Sequence, residues 1–154
     1  MLAIITRVSS ASVEIGGEQV ARIGRGFLVL LGVMEGDTDE DAAWLAKKTC
    51  GLRVFSDEED KLNLSLADVD GKILVVSNFT LAADCRKGNR PSFTAAAEPG
   101  EANRLYERYV ADCRAAGIQV QTGVFRADMQ VASVNDGPIT IPIDSRVRSA
   151  PRHG

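Results

Sequence analysis

The chain has 154 residues, 45% of them apolar and 25% charged, with a net charge of −3 and one histidine. That size suits a single domain able to bury roughly two-thirds of its extended surface. The acidic balance excludes a protein that wraps a long nucleic acid with a basic surface, though not one that grips a nucleic-acid end through a local basic patch.

In chain order, "AIITRVSSASVEI" alternates as a half-buried strand does, with Ile4, Val8, Val13 and Ile15 as expected core contributors. The start has no basic n-region and does not read as a signal peptide. Gly16-Gly17 then turns the chain into "EQVARI", a hairpin signal. "GFLVLLGV" is apolar on both faces, which predicts a central strand. The longest apolar run, residues 27–34, is far short of the ~20 residues that span a bilayer.

"GDTDEDAAWLAKKTCG" predicts a helix capped by Asp37 or Thr38, with Glu40 or Asp41 three residues on. Acids fill its first turn, Lys47 and Lys48 its last, and Gly51 suits the left-handed position beyond its end. Ala42, Leu45, Ala46 and Thr49 form its inner face. "LRVF" predicts a short strand, followed by a polar, turn-rich loop pinned by Leu62, Leu64 and Leu66. "KILVVSNFTL" begins as a buried strand. "EPGEANRLYERYVADCRAAG" predicts a second helix, burying Ala102, Leu105, Tyr106, Tyr109, Cys113 and Ala116 and ended by Gly117. "IQVQTGVF", "MQVASV" and "ITIPI" complete the strands. The sum is an α+β fold with about eight strands and two main helices, a mixed, largely antiparallel sheet or partly closed barrel. One domain is expected over residues 1–145, with 146–154 a basic, disordered tail.

The cysteines, Cys50, Cys85 and Cys113, are odd in number and show no CxxC spacing. They read as reduced thiols of a cytoplasmic protein, with Cys50 and Cys113 filling core. The one imidazole, His153, sits beside the C-terminus in "SAPRHG". A Ser-His-Asp or Cys-His site and a His/Cys zinc site are therefore disfavoured, and no metal or cofactor is expected.

Three stretches can carry chemistry. In "SNFTL", a strand apolar through Val76 suddenly offers Ser77, Asn78 and Thr80. This is either a strand end whose hydroxyls satisfy the next loop or a pocket floor whose amides and hydroxyls meet a developing oxyanion. In "DCRKGNRPSF", Arg86, Lys87 and Arg90 crowd a Gly/Asn/Pro loop, either solvated or gripping phosphate. In "SVNDGPITIP", Asn135, Asp136 and Gly137 read as a hairpin turn. Pro138 adds either over-determination or a rigid peptide presented to something, and X-Pro is the bond with an appreciable cis population.

Together these stretches, with "ITRVSSASVEI" and "GFLVLLGV", resemble the D-aminoacyl-tRNA (D-tyrosyl-tRNA) deacylases over nearly the whole chain, to about Ser145. The family's first motif reads Ser-Gln-Phe-Thr, whereas position 78 here is Asn, one methylene shorter. The resemblance implies hydrolysis of the ester joining a D-amino acid to the terminal adenosine of tRNA, in a cytoplasmic homodimer with active sites at the subunit interface. Ser77, Asn78, Phe79 and Thr80 would form the catalytic segment. Gly137 and Pro138, joined by a cis peptide and accompanied by Asn135, would project from the partner subunit. There they would reject L-aminoacyl esters by collision while admitting the D arrangement and glycyl-tRNA. Arg86, Lys87 and Arg90 would touch the tRNA end. A threonine nucleophile needs an adjacent base, so the expected attack is by water, held by backbone groups and helped by the ribose 2′-hydroxyl, with Thr80 and Ser77 orienting the ester. The competing readings are a small metal-independent esterase or amidase and a non-catalytic tRNA- or peptide-binding module.

Overall fold

The computed structural model describes residues 1–152. In order these form β1 (Leu2–Ile15), β2 (Glu18–Ile23), β3 (Gly26–Gly32), α1 (Asp39–Gly51), β4 (Phe55–Ser56), β5 (Leu62–Leu64), α2 (Leu66–Val69), β6 (Lys72–Ser77), α3 (Pro99–Ala115), β7 (Val120–Thr122) and β8 (Gln130–Asp144), with 3₁₀ turns at Phe79–Ala82 and Ser145–Ser149.

β1 organises the sheet. Residues 2–8 pair antiparallel with β3 and residues 11–15 with β2, whose entry turn takes φ +58° and +83° at Gly16 and Gly17. β8 runs antiparallel along the same strand from Leu2 to Glu14. β2 and β3 therefore share one edge of β1, and β8 holds the other. Beyond β3 the sheet turns parallel, through β6 to β7. The Arg22 N–H donates to Gln121 Oε1 across the remaining gap (2.8 Å), so the mixed sheet curls into a nearly closed barrel.

Helices α1 and α3 cover one face. Phe27, Val29, Leu31, Ile73 and Val75 of the sheet meet Leu45, Leu105 and Tyr109, all almost fully buried. Tyr109 donates to Thr49 Oγ1 (2.8 Å), which donates to Leu45 O (2.8 Å), so the buried hydroxyls are satisfied. Burial pushes the Tyr109 phenol well above its ordinary range. Val8, Val13, Ile23, Leu28, Leu74 and Val76 form a second cluster on the other face. At position 26 the backbones of β3 and β6 nearly touch: a Cβ there would lie 1.8 Å from Lys72 O, so only glycine fits.

The structure amends several expectations. Ala3 and Ile5, rather than Ile4, enter the core, while Val8 and Val13 are buried as expected. α1 is capped by Thr38 with Asp41 in a reciprocal capping box, but Gly51 is its last helical residue and Leu52 follows at φ −59°. The short strand starts at Phe55, and what was read as loop is a β4–β5 hairpin plus the third helix, α2. Leu66 is buried there, whereas Leu62 is exposed. Ala116 at the end of α3 is exposed, and Val110 takes a core place instead. The stretch read as a hairpin at 133–142 is one continuous strand, β8, because β1 is long enough to pair with both halves. The tail expected to be disordered forms a 3₁₀ turn at Ser145–Ser149, tied to α1 by Arg148 facing Glu40 and Asp41 (3.4 and 3.6 Å). His153 lies outside the described residues. No helix among the described residues is long and apolar enough to cross a membrane.

Candidate active site

β6 is buried from Ile73 to Val76, then surfaces at Ser77. The chain leaves the sheet at Asn78, whose N–H still donates to Leu31 O (2.8 Å), and folds into the 3₁₀ turn. Asn78 caps that turn: its Oδ1 accepts from the Thr80 N–H (3.2 Å) and from the Thr80 hydroxyl. The turn can sit this close to the end of β3 because position 32 is glycine; a Cβ there would be 3.0 Å from Leu81 Cβ and 3.3 Å from Asn78 O.

Ser77, Asn78, Phe79 and Thr80 line a cleft of about 880 Å³. Its walls are mostly apolar: Leu28, Leu30 and Val76 from the sheet, Ala97 before α3 and Ala102 within it, and Phe125, Met129 and Val131 from the segment entering and starting β8. An apolar cleft with a few convergent polar groups is the usual form of a small-ligand site. The Asn78 and Thr80 amides are committed to Leu31 and Asn78, but the Phe79 N–H has no acceptor among the described residues.

The basic loop follows directly. Asp84 and Ser92 exchange backbone hydrogen bonds (2.7 and 2.9 Å), closing residues 84–92 into a hairpin-like loop. A smaller concavity of about 440 Å³ is lined by Asp84, Arg86, Lys87, Arg90 and Ser92. The three expected cations are not equivalent. Arg86 chelates Asp84 (2.7 Å at the shorter contact), an interaction that holds the Asp84 carboxyl below its ordinary value and raises the guanidinium's. Lys87 and Arg90 are exposed and form no ion pair among the described residues.

Gly137 and Pro138 lie elsewhere. They form an exposed bulge in β8, where the β1–β8 register shifts between Thr6 and Ser10. The Gly137-Pro138 peptide is cis. Asn135 braces the bulge, its Oδ1 accepting from the Ile139 N–H (2.9 Å) and its Nδ2 donating to Thr140 Oγ1 (2.9 Å). Neither Gly137 nor Pro138 lines the cleft of its own chain. Arg7 was missed from the sequence. Its Nε donates to Asp136 O (2.9 Å) and its Nη1 to Val54 O (2.8 Å), which ties the bulge to the segment just before β4. An arginine inside an alternating apolar strand was the signal available, and the structure leaves it largely buried.

Comparison with known proteins bears on this arrangement. The family model described as D-Tyr-tRNA(Tyr) deacylase matches residues 4–144. A D-aminoacyl-tRNA deacylase of Geobacter sulfurreducens is 57% identical over 97% of this chain and 99% of its own. One from Dehalococcoides mccartyi strain BAV1 is 57% identical over 99% of each chain. Among solved structures, that of the c-Myc DNA Unwinding Element Binding Protein superposes with a TM-score of 0.87 at 40% identity, covering 94% of this chain and 98% of that one.

Proposed function

The chain belongs to the D-Tyr-tRNA(Tyr) deacylase family and hydrolyses the ester of D-aminoacyl-tRNA, and on that premise we propose that the 77–80 turn is the reaction centre and the 135–138 bulge of a second subunit its stereochemical gate. One observation carries the reading. The 77–80 turn floors an open cleft with an uncommitted Phe79 amide, while the braced, exposed Gly137-Pro138 bulge lies outside that cleft in its own chain.

The ester carbonyl sits over the turn with its oxygen toward the Phe79 N–H. Water adds to the carbonyl carbon, and the bond to the ribose oxygen breaks. The ribose oxygen takes a proton, leaving a free D-amino acid and tRNA. Thr80 does not attack: its hydroxyl donates to the Asn78 amide oxygen, which is not a base capable of keeping the proton. The neighbouring ribose 2′-hydroxyl relays the proton instead. Thr80 and Ser77 orient the ester, and an aminoacyl ester is activated enough for positioning and oxyanion stabilisation to suffice. Such a reaction belongs in the cytoplasm, where charged tRNA is used.

The gate works by exclusion. With the α-amino group and ester fixed, a rigid carbonyl in the place an L side chain needs rejects the L ester. It accepts the D ester and the side-chain-free glycyl ester. The bulge is held stiffly by Asn135 and Arg7. Position 137 takes φ +136°, and a Cβ there would meet Ile139 Cγ1 at 3.0 Å and Arg7 Nη2 at 3.1 Å. Gly137→Ala must therefore shift the bulge. Wild type is expected to release D-tyrosine and glycine from their tRNAs quickly and L-tyrosine hardly at all. Gly137→Ala is expected to narrow the D/L ratio or abolish hydrolysis. An unchanged ratio at unchanged rate would remove the gate from this bulge.

A further inference from the structure

At the edge of the cleft, two large aromatic rings stand in solvent. Phe79 is 59% exposed and Phe93 36%, and they meet edge to face with centroids 5.2 Å apart. Single exposed apolar residues are ordinary, but this pair has a particular place. Phe79 lines the large cleft. Phe93 follows Ser92, which lines the smaller basic concavity and is bonded to Asp84 at the base of the loop. The two rings thus form the ridge between the catalytic cleft and the loop carrying Lys87 and Arg90.

We propose that this Phe79–Phe93 ridge is a stacking platform for the unpaired nucleotide preceding the terminal adenosine of the tRNA substrate. The inference rests on the reading of the 77–80 turn as the reaction centre and of the basic loop as a tRNA contact. With the terminal ester in the cleft, the single strand must leave over the ridge to bring its phosphates to the free cations. An aromatic face beside cations is how proteins hold single-stranded nucleic acid without reading its sequence, because every base has a π-face. Asp84 shares the concavity, but its charge is already matched by Arg86. Phe93 makes the cleaner test because it does not line the cleft.

The experiment compares two substrates, D-tyrosyl-tRNA and 3′-O-D-tyrosyl-adenosine, which lacks every nucleotide beyond the first. Wild type, Phe93→Leu and Phe93→Trp are assayed on both. Phe93→Leu is expected to raise KM for the tRNA about tenfold, to leave kcat/KM for the adenosine ester unchanged, and to be rescued by Phe93→Trp. The adenosine ester also reports that each variant is folded. A minihelix with 2-aminopurine at the preceding position should be quenched on binding wild type and not Phe93→Leu. Equal losses on both substrates, or a Phe93→Leu enzyme with wild-type KM and quenching, would overturn the platform alone. A wild-type enzyme with the same KM for both substrates would overturn the tRNA-contact reading beneath it.

Discussion

Asn78 spends one amide oxygen on two donors, the Thr80 N–H and the Thr80 hydroxyl, and this decides what the turn can do. The bond to the amide shapes the turn, in which the Phe79 N–H has no acceptor among the described residues. The bond to the hydroxyl orients the Thr80 oxygen while denying it a base. The short asparagine side chain closes a local Asx turn, a geometry it favours. Thr80→Val keeps the branched shape and removes the oxygen. Losing one hydrogen bond to a reacting substrate corresponds to a rate loss of roughly 10- to 100-fold. Rapid-quench kinetics should show that partial loss, and mass spectrometry of wild type under turnover should show no acylated protein. Complete inactivity of a folded Thr80→Val enzyme, together with an acyl group trapped on Thr80 in wild type, would make the threonine the nucleophile.

The basic loop behaves as one element whose three cations divide into two kinds. Arg86 is tied into the loop's own closure through Asp84, while Lys87 and Arg90 face solvent. A cation that neutralises a phosphate releases counterions and adds about one to the slope of log affinity against log salt. Lys87→Ala and Arg90→Ala should therefore raise KM for D-tyrosyl-tRNA and each flatten its salt dependence by roughly one unit or less. Arg86→Ala should act mainly by loosening the loop and leave the slope nearly unchanged, and steady-state assays across a salt series check this. Equal slopes for all three variants would show that the Asp84 pairing does not matter. Sequence alone ranked the three cations together, although the Arg86–Asp84 pairing spans only two residues. A division between local and long-range information runs through the fold. α1 was legible as far as a choice between two caps, Asp37 with Glu40 or Thr38 with Asp41, because both pairs are local; the structure takes the second. The Ser65–Asp68 box that starts α2 was equally local but lay hidden in a polar stretch. The Asn-Asp-Gly sequence in β8 looks like a turn, and only the 14-residue partner strand β1 keeps the chain extended through it. Arg7 could not be tied to Asp136 from sequence, because the contact crosses that pairing.

At the scale of the whole molecule, the 135–138 bulge and the cleft do not meet within one chain, and the strand that carries the bulge has an unpaired edge. Among the described residues β8 pairs only with β1, so its outer edge is free along much of a 15-residue strand. Val134, which does not line the cleft, is 57% exposed there. Long open edges invite pairing unless they are blunted. Here Pro138 and Pro142 blunt the later half, while residues 130–135 carry no proline. On the proposed reading, a second copy of the chain would pair here and bring its bulge to the neighbouring cleft. Chiral selection should then depend on association. Sedimentation should find dimers, and dilution through their dissociation range should lower D-tyrosyl-tRNA hydrolysis per chain and selectivity together. Val134→Asp, placing a charge on the exposed strand, should shift sedimentation toward single chains with an unchanged circular dichroism spectrum and reduce the D/L ratio. Full discrimination by a species that sediments as one chain would mean that the chirality is read inside a single cleft, and the cleft's own residues, Phe125 and Met129 first, would have to supply the collision.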